Sequence, residues 1–183
     1  MFRINRKTDY AVRVMLSLAS RSSGTRLPTR TIQEEMLIPR PILQRIIAEL
    51  AHYQLVQTTP GPGGGVQLAR PAEAINLRHI WEAIEGPIQI SDCLKADVEC
   101  PLELTCPVQS RWGRLQSLLI RELEATTVAQ LASEAASLHK AEINSAKLVQ
   151  QQHKPNTKGS SDVGGVYTSL LDGTYSKKVR KSS

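Results

Sequence analysis

The sequence predicts a mainly helical α+β fold, and three local patterns carry that prediction. Two short amphipathic helical stretches meet at Ile38-Pro39; two segments of alternating apolar and polar residues flank Pro60-Gly61-Pro62-Gly63-Gly64-Gly65; and a long helical pattern follows Pro107. Two helices across a tight turn, followed by a glycine-linked hairpin, describe a winged helix-turn-helix. The long helix behind it is a separate element that needs a packing partner.

Taken in order, Tyr10, Ala11, Val14, Met15 and Leu18 form one buried stripe, with Thr8 as the expected N-cap and an end near Ser22 to Gly24. After Leu27-Pro28, Thr29 is the expected cap of a short helix carrying Ile32 and Met36, which Ile38-Pro39 ends. In the next helix Ile42, Leu43, Ile46, Ile47 and Leu50 share one side, while Pro41, Gln44, Arg45 and Ala48 share the other. That outer face is small, polar and basic. It suits a major groove about 12 Å wide, where Gln and Arg offer paired donors to base edges, although an ordinary solvated surface has the same composition.

Leu55 to Thr59 and Val66 to Arg70 read as the two strands of a β-wing. A nucleotide-binding phosphate loop would need a helix with Lys and Ser/Thr after its glycines, and a strand pattern follows instead. Without side chains, the Gly63 to Gly65 backbone suits close approach to a sugar-phosphate chain, with its amides as donors. The expected DNA contacts are therefore Thr29, Arg30, Arg40, Pro41, Gln44, Arg45, Gly63 and Gly64. Asn76 caps Leu77 to Glu85, whose stripe is Ile80, Trp81 and Ile84 and whose stop is Gly86-Pro87. Pro107 stands in the expected first turn of a helix with Val108, Trp112, Leu115, Leu118, Leu119 and Leu123 at helical spacing. Thr127 with Gln130 forms a capping box for a last helix through about Leu138.

Composition narrows the function. The 183 residues are 40% hydrophobic, which is enough for one ordinary domain plus extra elements. No run approaches the ~18 apolar residues of a membrane span, and the basic start leads into a polar-interrupted helix, so the expected location is the cytoplasm. Residues 1–72 carry ten Lys/Arg against four Asp/Glu, whereas 73–106 carry two against seven, so the basic character belongs to the head. Residues 140–183 are basic again, eight against three, and rich in Ser, Gly, Gln and Lys, the composition of a disordered tail.

Three cysteines, Cys93, Cys100 and Cys106, are spaced C-x6-C-x5-C between head and long helix. An odd number in a reducing compartment speaks against a disulfide framework and for metal binding, redox chemistry or plain burial. No histidine pairs locally with a cysteine and no oxyanion-type loop is recognisable, so an enzyme with a cysteine nucleophile is not expected.

The order of these pieces resembles the Rrf family of bacterial winged-helix regulators over residues 1–138. The resemblance rests on Thr8-Asp9-Tyr10-Ala11-Val12-Arg13, on Leu55-Val56 with Gly61-Pro62-Gly63-Gly64-Gly65, on Ile84-Glu85-Gly86, and on the three cysteines ahead of Trp112. It implies a homodimer joined through the long helix and bound to a two-fold symmetric DNA operator. It further implies an iron-sulfur cluster, 2Fe-2S or 4Fe-4S, on Cys93, Cys100 and Cys106, whose state alters operator affinity. IscR-like members place a histidine three residues beyond the third cysteine; here that residue is Gln109. NsrR-like members take an aspartate of the partner chain near the start of the first helix, which corresponds to Asp9.

Three thiolates suit such a cluster and leave one position to a weaker ligand, as a sensor requires. Zinc, a thiol redox switch and inert burial remain as other uses of the cysteines, though structural zinc sites favour closer C-x2-4-C pairs. The expected organisation is a winged helix-turn-helix DNA-binding domain at 1–86, a cysteine segment at 87–106, dimerisation helices at 107–139 and a disordered basic tail at 140–183.

Overall fold

The computed structural model describes residues 4–95, 100 and 105–152, with backbone alone for 142–152. Helix α1 (Arg6–Ala19) runs through the middle of the head, with Ala11, Val14 and Met15 fully buried and Leu18 nearly so. Its N-cap is Asn5, whose side chain accepts from the Lys7 amide at 3.2 Å, and not Thr8 as expected. Thr8 falls inside the first turn, where it is buried and its hydroxyl donates to Glu85. The helix also stops earlier than expected, at Ala19; the Ser20 amide closes it onto the Leu16 carbonyl at 2.9 Å.

Helices α2 (Thr29–Met36) and α3 (Arg40–His52) form the helix-turn-helix. Thr29 is the first residue of α2 and not its cap, because Pro28 occupies the capping position and lacks a capping side chain. Leu37 closes α2 in the left-handed region at φ 53° with its side chain 82% exposed. In α3, Leu43, Ile46, Ile47 and Leu50 are buried as the stripe requires, whereas Ile42 lies at its edge and stays 37% exposed.

Strands β1 (Val56–Thr59) and β2 (Gly65–Leu68) pair antiparallel, with Val56 opposite Leu68 and Thr59 opposite Gly65. Leu27 adds a third short edge through two 2.9 Å bonds with Val66, which anchors the hairpin to the chain leading into α2. Val56 and Val66 face the core; on the outer side Gln67 donates to Gln57 at 3.0 Å and accepts from Arg26 at 3.1 Å.

Helix α4 (Leu77–Glu85) begins at Asn76 and ends at Gly86, whose φ of 82° favours glycine. Its cap is reciprocal: Asn76 accepts from the His79 amide at 3.0 Å, and His79 Nδ1 accepts from the Asn76 amide at 3.2 Å. Helix α5 (Gln109–Ala125) starts two residues after Pro107, which therefore lies outside the first turn where it was expected; Val108 caps it. The Thr127–Gln130 box opens α6 (Val128–Gln152) as expected. This helix continues well past Leu138 into the segment read as tail, because no Pro or Gly interrupts the chain before Pro155. The rest of that segment, 153–183, lies outside the described residues.

The α5–α6 junction is pinned to the head. The Leu77 amide donates to the Thr126 carbonyl at 3.0 Å, the Val128 amide to Ile75 at 2.8 Å, and Val128 is buried. Arg78 adds ion pairs to Glu82 at 2.7 Å and Glu124 at 2.5 Å. Among the described residues no helix is long and apolar enough to cross a membrane.

The His79 cap gives the head a pH dependence. Burial, reinforced by the Arg70 guanidinium, holds the imidazole below its ordinary value of 6.5, so the ring is neutral when it accepts from Asn76. A histidine whose proton affinity falls on folding contributes stability that is complete above its ordinary value and is lost as pH drops through the lowered folded value. The thermal midpoint is therefore expected to fall as pH drops below about 6.5, and His79→Gln to flatten that part of the profile. Unchanged slopes in the variant would assign the effect to another group.

Candidate DNA-binding face and cysteine groove

Two clefts meet on one side of the head. The first, about 670 Å3, lies between α2 and α3 and is lined by Thr29, Arg30, Gln33, Glu34, Arg40, Gln44 and Ile47. The second, about 560 Å3, runs under the hairpin and includes Thr29, Ile47, Thr58, Thr59, Gly61 and Gly64. Thr29 and Ile47 belong to both, so the start of α2, the outer face of α3 and the hairpin loop form one continuous surface. Arg40 and Gln44 are exposed on it, and Pro41 and Arg45, next to them in sequence on α3, are exposed but line neither cleft.

Local charge on this face is partly occupied. Arg30, 87% exposed, pairs with Glu34 at 2.7 Å, and that hydrogen bond holds its guanidinium above the usual range. A phosphate would compete with Glu34 for Arg30, whereas no ion pair among the described residues engages Arg40 or Arg45. Sequence reasoning missed Gln33 and Thr58, which line the clefts; Gln33 stands one helical turn after Thr29, the spacing that could have found it.

The two wing glycines differ. Gly63 is exposed with φ 78°. Gly64 has no room for a side chain, since a Cβ would lie 2.2 Å from the Thr59 carbonyl oxygen, and its amide already donates to the Gly61 carbonyl at 2.9 Å. The expectation that its amide is open to a phosphate is corrected: Gly64 closes the turn.

Of the cysteines, Cys93 and Cys106 line one open groove with Leu94, Lys95, Gln109, Ser110 and Gly113. The short 3-10 turn Asp92–Leu94 carries Cys93, and α5 supplies the facing wall. Gln109 donates to the Cys93 carbonyl at 3.2 Å and Gln116 accepts from the Ile90 amide at 3.1 Å, which tie the cysteine segment to α5. The Cys93 thiol lies 3.1 Å from the Ser91 hydroxyl. Beside it, Lys95 pairs with Asp92 at 2.5 Å and holds that carboxyl below its ordinary range.

All three cysteines are free and partly exposed, but Cys100 is not among the residues lining the groove. Among the described residues, no three Cys, His, Asp or Glu side chains converge at metal-binding distance. Asp97, Glu99 and Glu103, on the same segment, lie outside the described residues. Asp9 forms an ion pair with Arg13 one turn on, at 2.7 Å, and both side chains are about half exposed.

Residues 4–134 match the Rrf2 family, described as an iron-dependent transcriptional regulator. The chain belongs to the Rrf2 family. It is a transcriptional regulator and not an enzyme. A candidate HTH-type transcriptional regulator of Mycobacterium tuberculosis H37Rv is 32% identical over 142 residues, 77% of this chain and 88% of its own. The HTH-type transcriptional repressor NsrR of Streptomyces coelicolor is 27% identical over 132 residues, 72% of this chain and 88% of its own. CymR of B. subtilis, whose structure is described as that of the global cysteine regulator, is similar at TM-score 0.60 and 25% identity, over 73% of this chain and 98% of its own. T. potens IscR shares the fold at TM-score 0.56 and 24% identity, over 73% of this chain and 88% of its own. These likenesses agree with the winged-helix architecture built above.

The enclosed Gly64 generates a direct test of the Rrf2 wing. Gly64→Ala is expected to cost roughly 1–3 kcal/mol, because the added methyl meets backbone that has no rotamer to escape into. Thermal unfolding with hydrogen exchange across Thr59 to Gly65 reads it, and an unperturbed hairpin in the variant would contradict the turn geometry.

Proposed function

We propose that this protein is a cytoplasmic homodimeric DNA-binding repressor whose operator affinity is set by an iron-sulfur cluster on its cysteine segment. The observation that carries the DNA part is the continuous face formed by α2, α3 and the hairpin, with Arg40 and Gln44 exposed on it and Arg45 exposed next to Gln44 in sequence on α3. In this reading α3 enters the major groove, Gln44 and Arg45 meet base edges, Thr29, Arg30 and Arg40 hold phosphates, and Pro41 and Gly63 allow close approach. Gly64 shapes the loop.

The dimer reading rests on α5. Val108, Trp112, Leu115 and Leu118 are each between 42% and 50% exposed, a row of large apolar groups that a second α5 would cover. Two heads held this way would set the spacing of two operator half-sites.

For the cluster, the donor chemistry fits: three free, partly exposed thiols, two of them on one groove. Cys93, Cys100 and Cys106 would hold it, and Asp9 of the second chain would complete the set once released from Arg13. When bound, the cluster supplies a centre sensitive to nitric oxide, redox state or iron-sulfur supply. The chain's own part is to tie that centre to the head: Gln109 and Gln116 hold the cysteine segment on α5, and the α5–α6 junction is pinned to α4.

A thiol switch without a cluster is the second reading, favoured by the absence of a converged triad among the described residues and by the likeness to CymR. A zinc site on the same thiols is its variant.

Anaerobic purification separates these readings. The cluster predicts a coloured protein with iron and sulfide in stoichiometric amounts and a Cys100→Ala variant that loses the visible spectrum; zinc alone, or a colourless iron-free protein, would contradict it. For the DNA face, Arg45→Ala is expected to weaken binding to a selected duplex by ~1–3 kcal/mol. Undiminished specific binding by that variant would place the readout elsewhere.

A further inference from the structure

One ion pair links the start of α1 to the far half of α3. Lys7 Nζ lies 2.6 Å from Glu49 Oε1, across 42 residues of sequence. The two side chains are 33% and 36% exposed, yet the second carboxylate oxygen of Glu49 is fully enclosed and has no hydrogen-bond partner among the described residues. Lys7 is thus the donor on which this half-enclosed carboxylate depends. Nor is Lys7 a free surface lysine. Asn5 caps the turn that carries it, and its neighbour Thr8 is buried and bonded to Glu85 at the end of α4.

The remaining contact of α3 with the core, through Leu43, Ile46, Ile47 and Leu50, is apolar and without direction. Such packing resists withdrawal of a helix better than rotation about its own axis. The directional contact sits at Glu49, one turn beyond Arg45, so it fixes the rotation that decides where Gln44 and Arg45 point. We infer that Lys7 and Glu49 are positioning residues that set the pose of the operator-facing helix without touching DNA themselves. This rests on reading α3 as the DNA-contacting helix.

The sign of one substitution separates positioning from charge. Glu49→Gln removes a negative charge, so electrostatics alone would tighten binding to any DNA. Positioning predicts the opposite for a specific site. The probes are a duplex enriched from a random-sequence pool by the wild-type protein and a shuffled duplex of equal length. Glu49→Gln is expected to bind the enriched duplex roughly three- to thirtyfold more weakly while binding the shuffled one equally or better. The reversed pair, Lys7→Glu with Glu49→Lys, keeps net charge and is expected to return to within about threefold of wild type. Thermal midpoints accompany each measurement, and should Glu49→Gln fail to fold, Lys7→Met substitutes, with positioning read as a loss on the enriched duplex at least threefold greater than on the shuffled one. Binding of the enriched duplex at or above wild-type strength by Glu49→Gln, or a reversed pair no better than Lys7→Glu alone, would overturn the inference. If Arg45→Ala weakens binding while Glu49→Gln does not, the positioning role falls alone; if neither matters, the reading of α3 falls with it.

Discussion

Burial of the α1 stripe is the constraint from which the rest of the architecture follows. Ala11, Val14, Met15 and Leu18 are removed from water by α2, α3, α4, α6 and β2 together, so none of these five can be placed independently of this helix. At about 25 cal/mol per Å2 of apolar surface, such a stripe outweighs the polar contacts on the head's surface. Those contacts then act as locators. Leu27 bonds fix the hairpin to the entry of α2, the Asn76–Thr127 region fixes α5 and α6 to α4, and Lys7 with Thr8 fixes α1 against α3 and α4.

This division of labour relates the DNA face to the cysteine segment. The face is built on elements packed directly on α1, while the cysteine segment is tied to α5 by two glutamine side chains and held near its start by the buried Ile88. With fewer buried apolar groups than the head, it opens at lower cost, as the sensing role proposed for it requires. Both elements are joined to the head at α4, whose end at Glu85 touches Thr8. The cysteine segment is thus connected to α1 through α5, α4 and the Glu85–Thr8 contact.

Much of the fold was legible because its signals are local. Asn76 and Gly86 bracket α4, Thr127 and Gln130 open α6, and the glycine run between two alternating segments marks the hairpin; each acts within a few residues of itself. The misreadings have non-local causes. Asn5 and Thr8 are both good capping residues, and the choice between them is made by Glu85, 77 positions away. The end of α6 carries no stop signal near Leu138, and Ile42 belongs to an apolar stripe that the core is not wide enough to cover. For the site, side-chain types identified the exposed face of α3, but the use of the Gly64 amide inside its own turn, the Lys7–Glu49 pair and the arrangement of the thiols depend on how distant segments meet.

If the state of the cysteine segment sets the affinity of the head for DNA, the Kd for one enriched duplex, measured on a single anaerobic preparation before and after its iron is removed and at fixed salt, changes by about tenfold or more, the scale of a typical coupling between two sites. Equal affinities, with iron loss confirmed, would show that the segment and the DNA face are uncoupled.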